Sequence, residues 1–243
     1  MQNIKLIIGY NGTQYHGFQL QKNAVTIQEQ LERAIHTVFG HPVRVVSAGR
    51  TDSGVHAVGQ VVSFCSASRI PVERIPYALN SVLPSDIVVS RAEKVSELFH
   101  ARYSAVSKMY TYTIDNAPHP RVLVRHCAFH LRVPLDLSLM RKAAATLLGR
   151  HDFSSFMGSA SAVKTTVRLL LQLDVDESDG FITITAEANG FLYNMMRIIV
   201  GTLVEVGLGK RAADLQPLLQ VKDRSAAGWT VPPHGLVLQE VKY

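Results

Sequence analysis

The chain has 243 residues, of which 47% are hydrophobic and 18% charged, a composition that supports a large core and excludes extended disorder. Its formal net charge is +6. The most apolar stretch, residues 198–209, contains Glu205 and is shorter than the roughly 18 uninterrupted apolar residues of a membrane span. Residues 1–10 alternate like a strand and lack the apolar core of a secretory signal. We therefore expect a cytoplasmic globular protein.

The first half of the chain predicts the element order β-α-β-β-α-β. Its helix begins at Thr26, because Glu29 stands three residues later, at the spacing of a capping box. The predicted elements are a strand at 3–10, the helix from Thr26, strands at 43–47 and 55–65, a helix at 71–83 and a strand at 87–95.

The second half predicts a similar order of elements, without any sequence identity to the first half. They are a strand at 109–115, a helix at 137–148, strands at 167–175 and 181–187, and a helix at 192–207. Strands that occur in groups favour an α+β fold with a largely antiparallel sheet and helices on one side. We divide the chain into two α/β subdomains, residues 1–105 and residues 106–243.

The cysteines and histidines do not predict a metal site. Cys65 and Cys127 form no CxxC pair, and the ten histidines form no helical zinc pair. We interpret both cysteines as reduced thiols in the core.

The positive charge is concentrated in residues 100–168, which hold ten basic and three acidic residues. Such a segment favours a polyanionic partner, because neutralising phosphates releases counterions and yields affinity. A solvated basic face is the alternative interpretation.

The densest cluster of special residues is Gly49 to Gln60, between two predicted strands. It fits neither phosphate-binding glycine pattern. It carries one carboxylate, Asp52, flanked by Arg50 and His56, and a nearby cation would keep that carboxylate ionised. An ionised, fixed carboxylate can act as a nucleophile or a base. An ordinary Asp-Ser-Gly turn is the alternative.

The segment GRTDSGVHAVGQV, residues 49–61, resembles the active-site motif of the TruA family of tRNA pseudouridine synthases. Asn11 and Phe18 differ from the Asp and the frequent Trp expected there. The resemblance implies the pseudouridine synthase fold, with an active-site cleft between its two subdomains. It continues through residues 10–19, 99–102, 108–112, Gly149 with 151–153, and 191–207.

The resemblance also implies roles for individual residues. Asp52 is the essential catalytic residue, Arg50 takes part in everting the target nucleotide, and Tyr110 packs on the target base. Tyr110 and Tyr112 alternate along a strand with Met109 and Thr111, so both tyrosines face the same side of it. A pair of core or sheet-surface tyrosines is therefore the alternative. Arg197 interrupts an apolar helix and needs a carboxylate or a route to water. The resemblance supplies Asp52 as its partner and makes Arg197 a substrate-binding residue.

The implied reaction converts uridine to pseudouridine in tRNA and in principle requires no cofactor or metal. The resemblance implies uridines 38, 39 and 40 of the anticodon stem-loop as targets, and a homodimer that the tRNA spans. Whether Asp52 attacks C1′, adds to the base or abstracts a sugar proton stays open. We expect several residues of the basic segment to bind phosphates, from Arg102, Lys108, Arg121, Arg125, Arg132, Arg141, Lys142, Arg150, Lys164 and Arg168.

Two other functions compete with this one. A non-catalytic RNA-binding protein would keep the fold and the basic surface, but the intact Arg50-Thr51-Asp52 argues against it. A hydrolytic glycosidase or nucleosidase would use Asp52 as its nucleophile, but such enzymes usually set two carboxylates about the scissile bond. The motif contains no second acidic residue.

Overall fold

The structure is a computed structural model that describes residues 1–158 and 163–243. These residues form two compact units, of which unit 1 comprises Met1–Val106 with Val237–Tyr243, and unit 2 comprises Ser107–Leu236. The division predicted from sequence differs from this one in the C-terminal segment. That segment belongs to unit 1 because it pairs with a strand there.

The described residues contain strands and α-helices in the following chain order. They are β1 (Gln2–Tyr10), α1 (Ile27–Phe39), β2 (Val46–Ser47), β3 (His56–Ser66), α2 (Ile75–Asn80), β4 (Ile87–Val95), β5 (Ser107–Asp115), β6 (Phe129–His130), α3 (Leu137–Ala145), β7 (Gly149–Asp152), β8 (Val167–Ser178), β9 (Phe181–Ala188), α4 (Met195–Gly207), α5 (Gln216–Val221) and β10 (Leu236–Lys242).

The sheet of unit 1 is mainly antiparallel. β1 lies between β3 and β4 and is antiparallel to both, and β2 pairs antiparallel with β3. β10 pairs in parallel with the start of β3, with Val237 opposite His56. Alternate residues of β1 and the apolar face of α1 are fully buried. These residues are Ile4, Leu6 and Ile8 on β1, and Ile27, Leu31 and Ile35 on α1.

The sheet of unit 2 has the antiparallel order β5-β9-β8-β7, and β6 pairs in parallel with β5. α4 is apolar around almost its whole circumference and is correspondingly buried. Gly207, at the end of α4, lies close to Met140 of α3. A Cβ added to this glycine would be only 2.8 Å from the Met140 Sδ atom. No helix in the described ranges is long and apolar enough to cross a membrane. The predicted combination of mostly antiparallel strands with helices is confirmed.

Most predicted elements differ from the observed ones by one to four residues at an end, and three of these differences have a visible cause. The strand predicted at 43–47 is reduced to β2, because the Val45 N–H donates to the Glu32 carboxylate instead of a neighbouring strand. The helix predicted at 71–83 is α2, which ends at Asn80, where the side chain binds the backbone of Val89. α4 begins at Met195 because Asn194 has a φ of 60°, outside the helical region.

The prediction that both cysteines lie in the core is wrong. Cys65 and Cys127 are free and exposed. Cys65 is the second-last residue of β3 and lies past Val61 and Ser63, the buried residues of the same strand face.

Candidate active site

The loop that contains Asp52, residues 49–55, is held against the loop that follows β1. The Phe18 N–H donates to the Thr51 carbonyl at 3.0 Å, and the Gly54 N–H donates to the Tyr15 carbonyl at 3.3 Å. The Ser53 hydroxyl also donates to the Tyr15 carbonyl, at 3.2 Å. Residues 10–19 and 49–61, two separate segments of the resemblance to the family, are therefore joined by hydrogen bonds.

Glycines allow this close approach of two backbones. A Cβ on Gly12 would lie 2.0 Å from the Val55 carbonyl oxygen. Gly17 has a φ of +85°, and its Cβ would lie 2.8 Å from the Thr51 carbonyl oxygen. A larger residue at either position would push the two loops apart.

Asp52 opens a tight turn into β3. Its carbonyl accepts a hydrogen bond from the Val55 N–H at 3.1 Å, and Gly54 has a φ of 76°. The side chain of Thr51 is buried, Asp52 is half-buried, and Arg50 is exposed. The turn thus presents the Asp52 carboxylate from a backbone that is fixed on its buried side.

A buried polar network lies beneath this loop. The Tyr10 hydroxyl is 2.8 Å from the Thr51 hydroxyl, and Gln60 Nε2 donates to the Gly49 carbonyl at 2.9 Å. Gln60 Nε2 also lies 3.4 Å from the Tyr10 hydroxyl. Burial raises the pKa of Tyr10 to about 12, although its hydrogen bonds oppose that rise.

His56 lies beside the Gly12 loop. It is buried, and its Nδ1 accepts a hydrogen bond from the Gly12 N–H at 3.0 Å. A ring nitrogen that accepts a hydrogen bond carries no proton of its own. This hydrogen bond fixes the Gly12 loop.

Tyr110 and Tyr112 lie on β5 in unit 2, and both are buried on the same face, as predicted. The Tyr110 ring meets Phe191 edge-on, with 5.0 Å between ring centroids. The Tyr112 hydroxyl donates to the Pro232 carbonyl at 2.8 Å. Burial raises the pKa of Tyr112, and the charge of Arg197 partly opposes that rise.

Arg197 is half-buried in the first turn of α4, where neutral oxygen atoms of unit 2 hold its guanidinium. Its Nε donates to the Val231 carbonyl at 2.8 Å, and its Nη1 donates to Asn194 Oδ1 at 2.8 Å. These two contacts orient the guanidinium.

The segment that leads to Val231 packs closely on α4. A Cβ on Gly201 would lie 1.9 Å from the Trp229 carbonyl oxygen. The Thr202 hydroxyl accepts a hydrogen bond from the Gly228 N–H at 2.9 Å. The segment that binds Arg197 therefore lies directly on the helix that carries it.

The predicted site residues lie in both units: Asp52 and Arg50 in unit 1, Tyr110 and Arg197 in unit 2. Sequence reasoning missed the contribution of Gln60, although it stands inside the recognised motif, and that of Asn194. In the described part of the chain, no group of three or more His, Cys, Asp and Glu side chains could hold a metal ion.

The basic segment divides into paired and exposed residues. Arg121 forms an ion pair with the buried Asp115 at 3.2 Å. Arg168 donates to the carbonyls of Thr165 and Val167. The exposed basic residues of this segment are Arg102, Arg125, Arg132, Arg141, Lys142, Arg150 and Lys164.

Comparison with known proteins identifies the family. A family model described as tRNA pseudouridine synthase matches residues 6–104 and 143–243. The tRNA pseudouridine synthase A of Thermoanaerobacter sp. (strain X514) is 50% identical, and that of Acetivibrio thermocellus is 48% identical, over 100% of both chains in each case. The Bacillus subtilis (strain 168) protein of that name is 46% identical over 99% of this chain and 98% of its own.

Among solved structures, a chain of a Cbf5-Nop10-Gar1 complex aligns with a TM-score of 0.34 and 13% identity, covering 83% of this chain and 45% of that chain. The family model and the full-length relatives agree with each other on the reaction. The chain belongs to the tRNA pseudouridine synthase family and is an isomerase that converts uridine to pseudouridine in tRNA.

Proposed function

We propose that the chain modifies uridines 38, 39 and 40 of the tRNA anticodon stem-loop, with Asp52 as its catalytic residue. One observation carries the assignment of Asp52: its carboxylate stands half-buried on a loop whose backbone is anchored by buried hydrogen bonds. A fixed carboxylate can act on a reacting atom without reorganising during the reaction.

The reaction balances without any added reactant. The bond between C1′ and N1 breaks, the uracil turns, and a bond forms between C1′ and C5. C5 loses a proton, and N1 gains one. The Asp52 carboxylate can serve as nucleophile at C1′, as nucleophile toward the base, or as base at the sugar, and each role requires it to be ionised.

We assign substrate binding to Tyr110, Arg50 and Arg197. Tyr110 packs on the target base, and its edge-on contact with Phe191 fixes the plane of its ring. Arg50 is exposed beside Asp52 in the loop and can follow the everted nucleotide. Arg197 is a guanidinium oriented by two hydrogen bonds, which suits it to an anionic group.

The proposal extends to the tRNA complex. A target base in a helical stem must be unstacked first, at a cost of about a few kcal/mol. Phosphate contacts of the exposed basic residues offset this cost.

We infer a homodimer that the tRNA spans, acting in the cytoplasm where tRNA matures. Sedimentation of the purified protein with and without tRNA tests the dimer.

The target sites are tested on transcripts of one tRNA that carries uridine at positions 38, 39 and 40, together with transcripts in which each uridine is replaced by cytidine. Carbodiimide mapping after incubation with the protein should detect pseudouridine only at the remaining anticodon-arm uridines. Pseudouridine formed elsewhere in the tRNA, with these three uridines unchanged, would refute the assignment of the target.

A further inference from the structure

We propose that Tyr10 and Gln60 are positioning residues, which act on the reaction by fixing the loop that carries Asp52. The inference rests on the proposed catalytic role of Asp52. It adds a support beneath the loop, made of side chains that come from β1 and β3.

Gln60 is fully buried in the interior of β3, where an apolar side chain would serve packing alone. Its Nε2 donates to the Gly49 carbonyl at 2.9 Å, and its Oε1 accepts from the Val61 N–H at 3.2 Å. Burying a primary amide costs free energy unless the amide is hydrogen-bonded. The Gly49 carbonyl is therefore held within hydrogen-bonding distance of Gln60 Nε2. Gln60 thereby fixes the beginning of the loop.

Tyr10 links Gln60 to the residue before Asp52. An amide nitrogen only donates, so the Tyr10 oxygen accepts from Gln60, and its own proton is available to Thr51 Oγ1, 2.8 Å away. The resulting chain of hydrogen bonds runs from Gln60 through Tyr10 to Thr51, and its members strengthen one another. Because burial raises the pKa of Tyr10 to about 12, the phenol keeps this proton at neutral pH.

The two contacts hold the loop on either side of Arg50. Thr51 is held inward and is buried, whereas Arg50 is exposed and Asp52 half-buried, the alternation of an extended backbone. If Thr51 were released, the Asp52 carboxylate would be free to move. A displacement of about 1 Å in a reacting group lowers rates by as much as roughly 100-fold.

The test measures single-turnover pseudouridine formation with enzyme in excess, together with the Kd for tRNA and the thermal midpoint. Tyr10→Phe and Thr51→Val remove single hydroxyl groups at similar volume, and Gln60→Met removes the amide. Each should lower the rate by roughly 10- to 100-fold while the Kd changes less than about twofold. Thr51→Ser, which keeps the hydroxyl, should retain most of the wild-type rate.

Tyr243→Phe is the matched control, because the Tyr243 hydroxyl donates to the Ala101 carbonyl at 2.7 Å in the same unit, away from the loop. It should lower the thermal midpoint as much as Tyr10→Phe does, with an unchanged rate. Tyr10→Phe combined with Thr51→Val should be no slower than the slower single variant, since both remove the same hydrogen bond.

Wild-type rates in both Tyr10→Phe and Thr51→Val would overturn the proposal, and so would a loss that only follows the folded fraction of the protein. Gln60→Met is not needed for this decision if it fails to fold. An inactive wild-type protein, or full activity in Asp52→Asn, would instead refute the proposed function, so the two failures are distinct.

Discussion

Gly17 and Thr51 are in backbone contact, and a Cβ on Gly17 would lie 2.8 Å from the Thr51 carbonyl oxygen. Gly17→Ala combines this clash with left-handed backbone strain, whereas Gly40→Ala introduces the strain alone, because nothing lies within 4 Å of its Cβ. We expect a loss of free energy of unfolding of about 1 kcal/mol for Gly40→Ala and about 3 kcal/mol for Gly17→Ala.

Urea unfolding measures both losses, and single-turnover assays of the folded variants measure the effect on the loop. Gly17→Ala should also slow pseudouridine formation, and Gly40→Ala should not. Equal losses of stability in the two variants would show that the contact with Thr51 is not tight.

Asn194 should influence the reaction through Arg197, whose Nη1 donates to its Oδ1. Asn194→Gly preserves the left-handed backbone but removes the acceptor, and we expect a rate lower by roughly threefold to tenfold. Asn23→Gly, at an exposed position with a φ of 62°, is the matched control and should leave the rate unchanged. A wild-type rate in Asn194→Gly would contradict this role.

Asp152 should stabilise unit 2 only when it is ionised. Burial raises its pKa, but hydrogen bonds from Ser154, Thr166 and Lys222 outweigh burial and hold the pKa well below its usual 3.8. A carboxyl whose pKa is lower in the folded state contributes stability above its unfolded pKa and loses it as the pH falls through the folded one.

Asp152→Asn should therefore lower the free energy of unfolding at pH 7 by about 1 kcal/mol, a small value because the group is partly exposed. The difference from wild type should persist down to about pH 5 and shrink below about pH 4, toward zero. Urea unfolding across this range checks it. A difference that is the same at pH 7 and pH 2.5 would contradict the assigned pKa shift.

The basic segment should separate into structural and RNA-binding residues. Arg121 pairs with the buried Asp115 and lies 4.0 Å over the Phe181 ring. Arg121→Ala should cost about 2 kcal/mol of stability and leave the salt dependence of tRNA binding unchanged. Lys142→Ala and Arg150→Ala, at exposed positions, should keep the stability and reduce the log–log salt slope by about 0.7 to 0.9 each. Unchanged slopes in the exposed variants would contradict a role in phosphate binding.

Local patterns in the sequence predicted most of the elements. Ile87–Val95 has the predicted bounds, and α1 begins after Thr26, whose hydroxyl accepts the Glu29 N–H as the capping box requires. The carboxylate of Glu29, however, pairs with Arg33 at 3.1 Å. The exposed arginine one turn later is a competing partner that the spacing alone does not exclude.

The sequence did not predict β7 or β10. β10 alternates buried and less buried residues, but its partner β3 lies about 180 residues earlier, and pairing at that separation leaves no local pattern. The motif alone identified Asp52. The contacts of Tyr10, Gly17 and Gln60 with its loop could not be predicted, because they also join segments that are distant in the sequence or depend on the folded chain.

The central claim, that Asp52 carries the reaction, is tested most directly by pseudouridine formation in unmodified tRNA under single-turnover conditions. The comparison is between wild type, Asp52→Asn and Asp176→Asn, a matched loss of an exposed carboxylate on β8. We predict that Asp52→Asn binds tRNA with wild-type Kd but forms no detectable pseudouridine, whereas Asp176→Asn is fully active. Pseudouridine formation by Asp52→Asn at the wild-type rate would contradict the account.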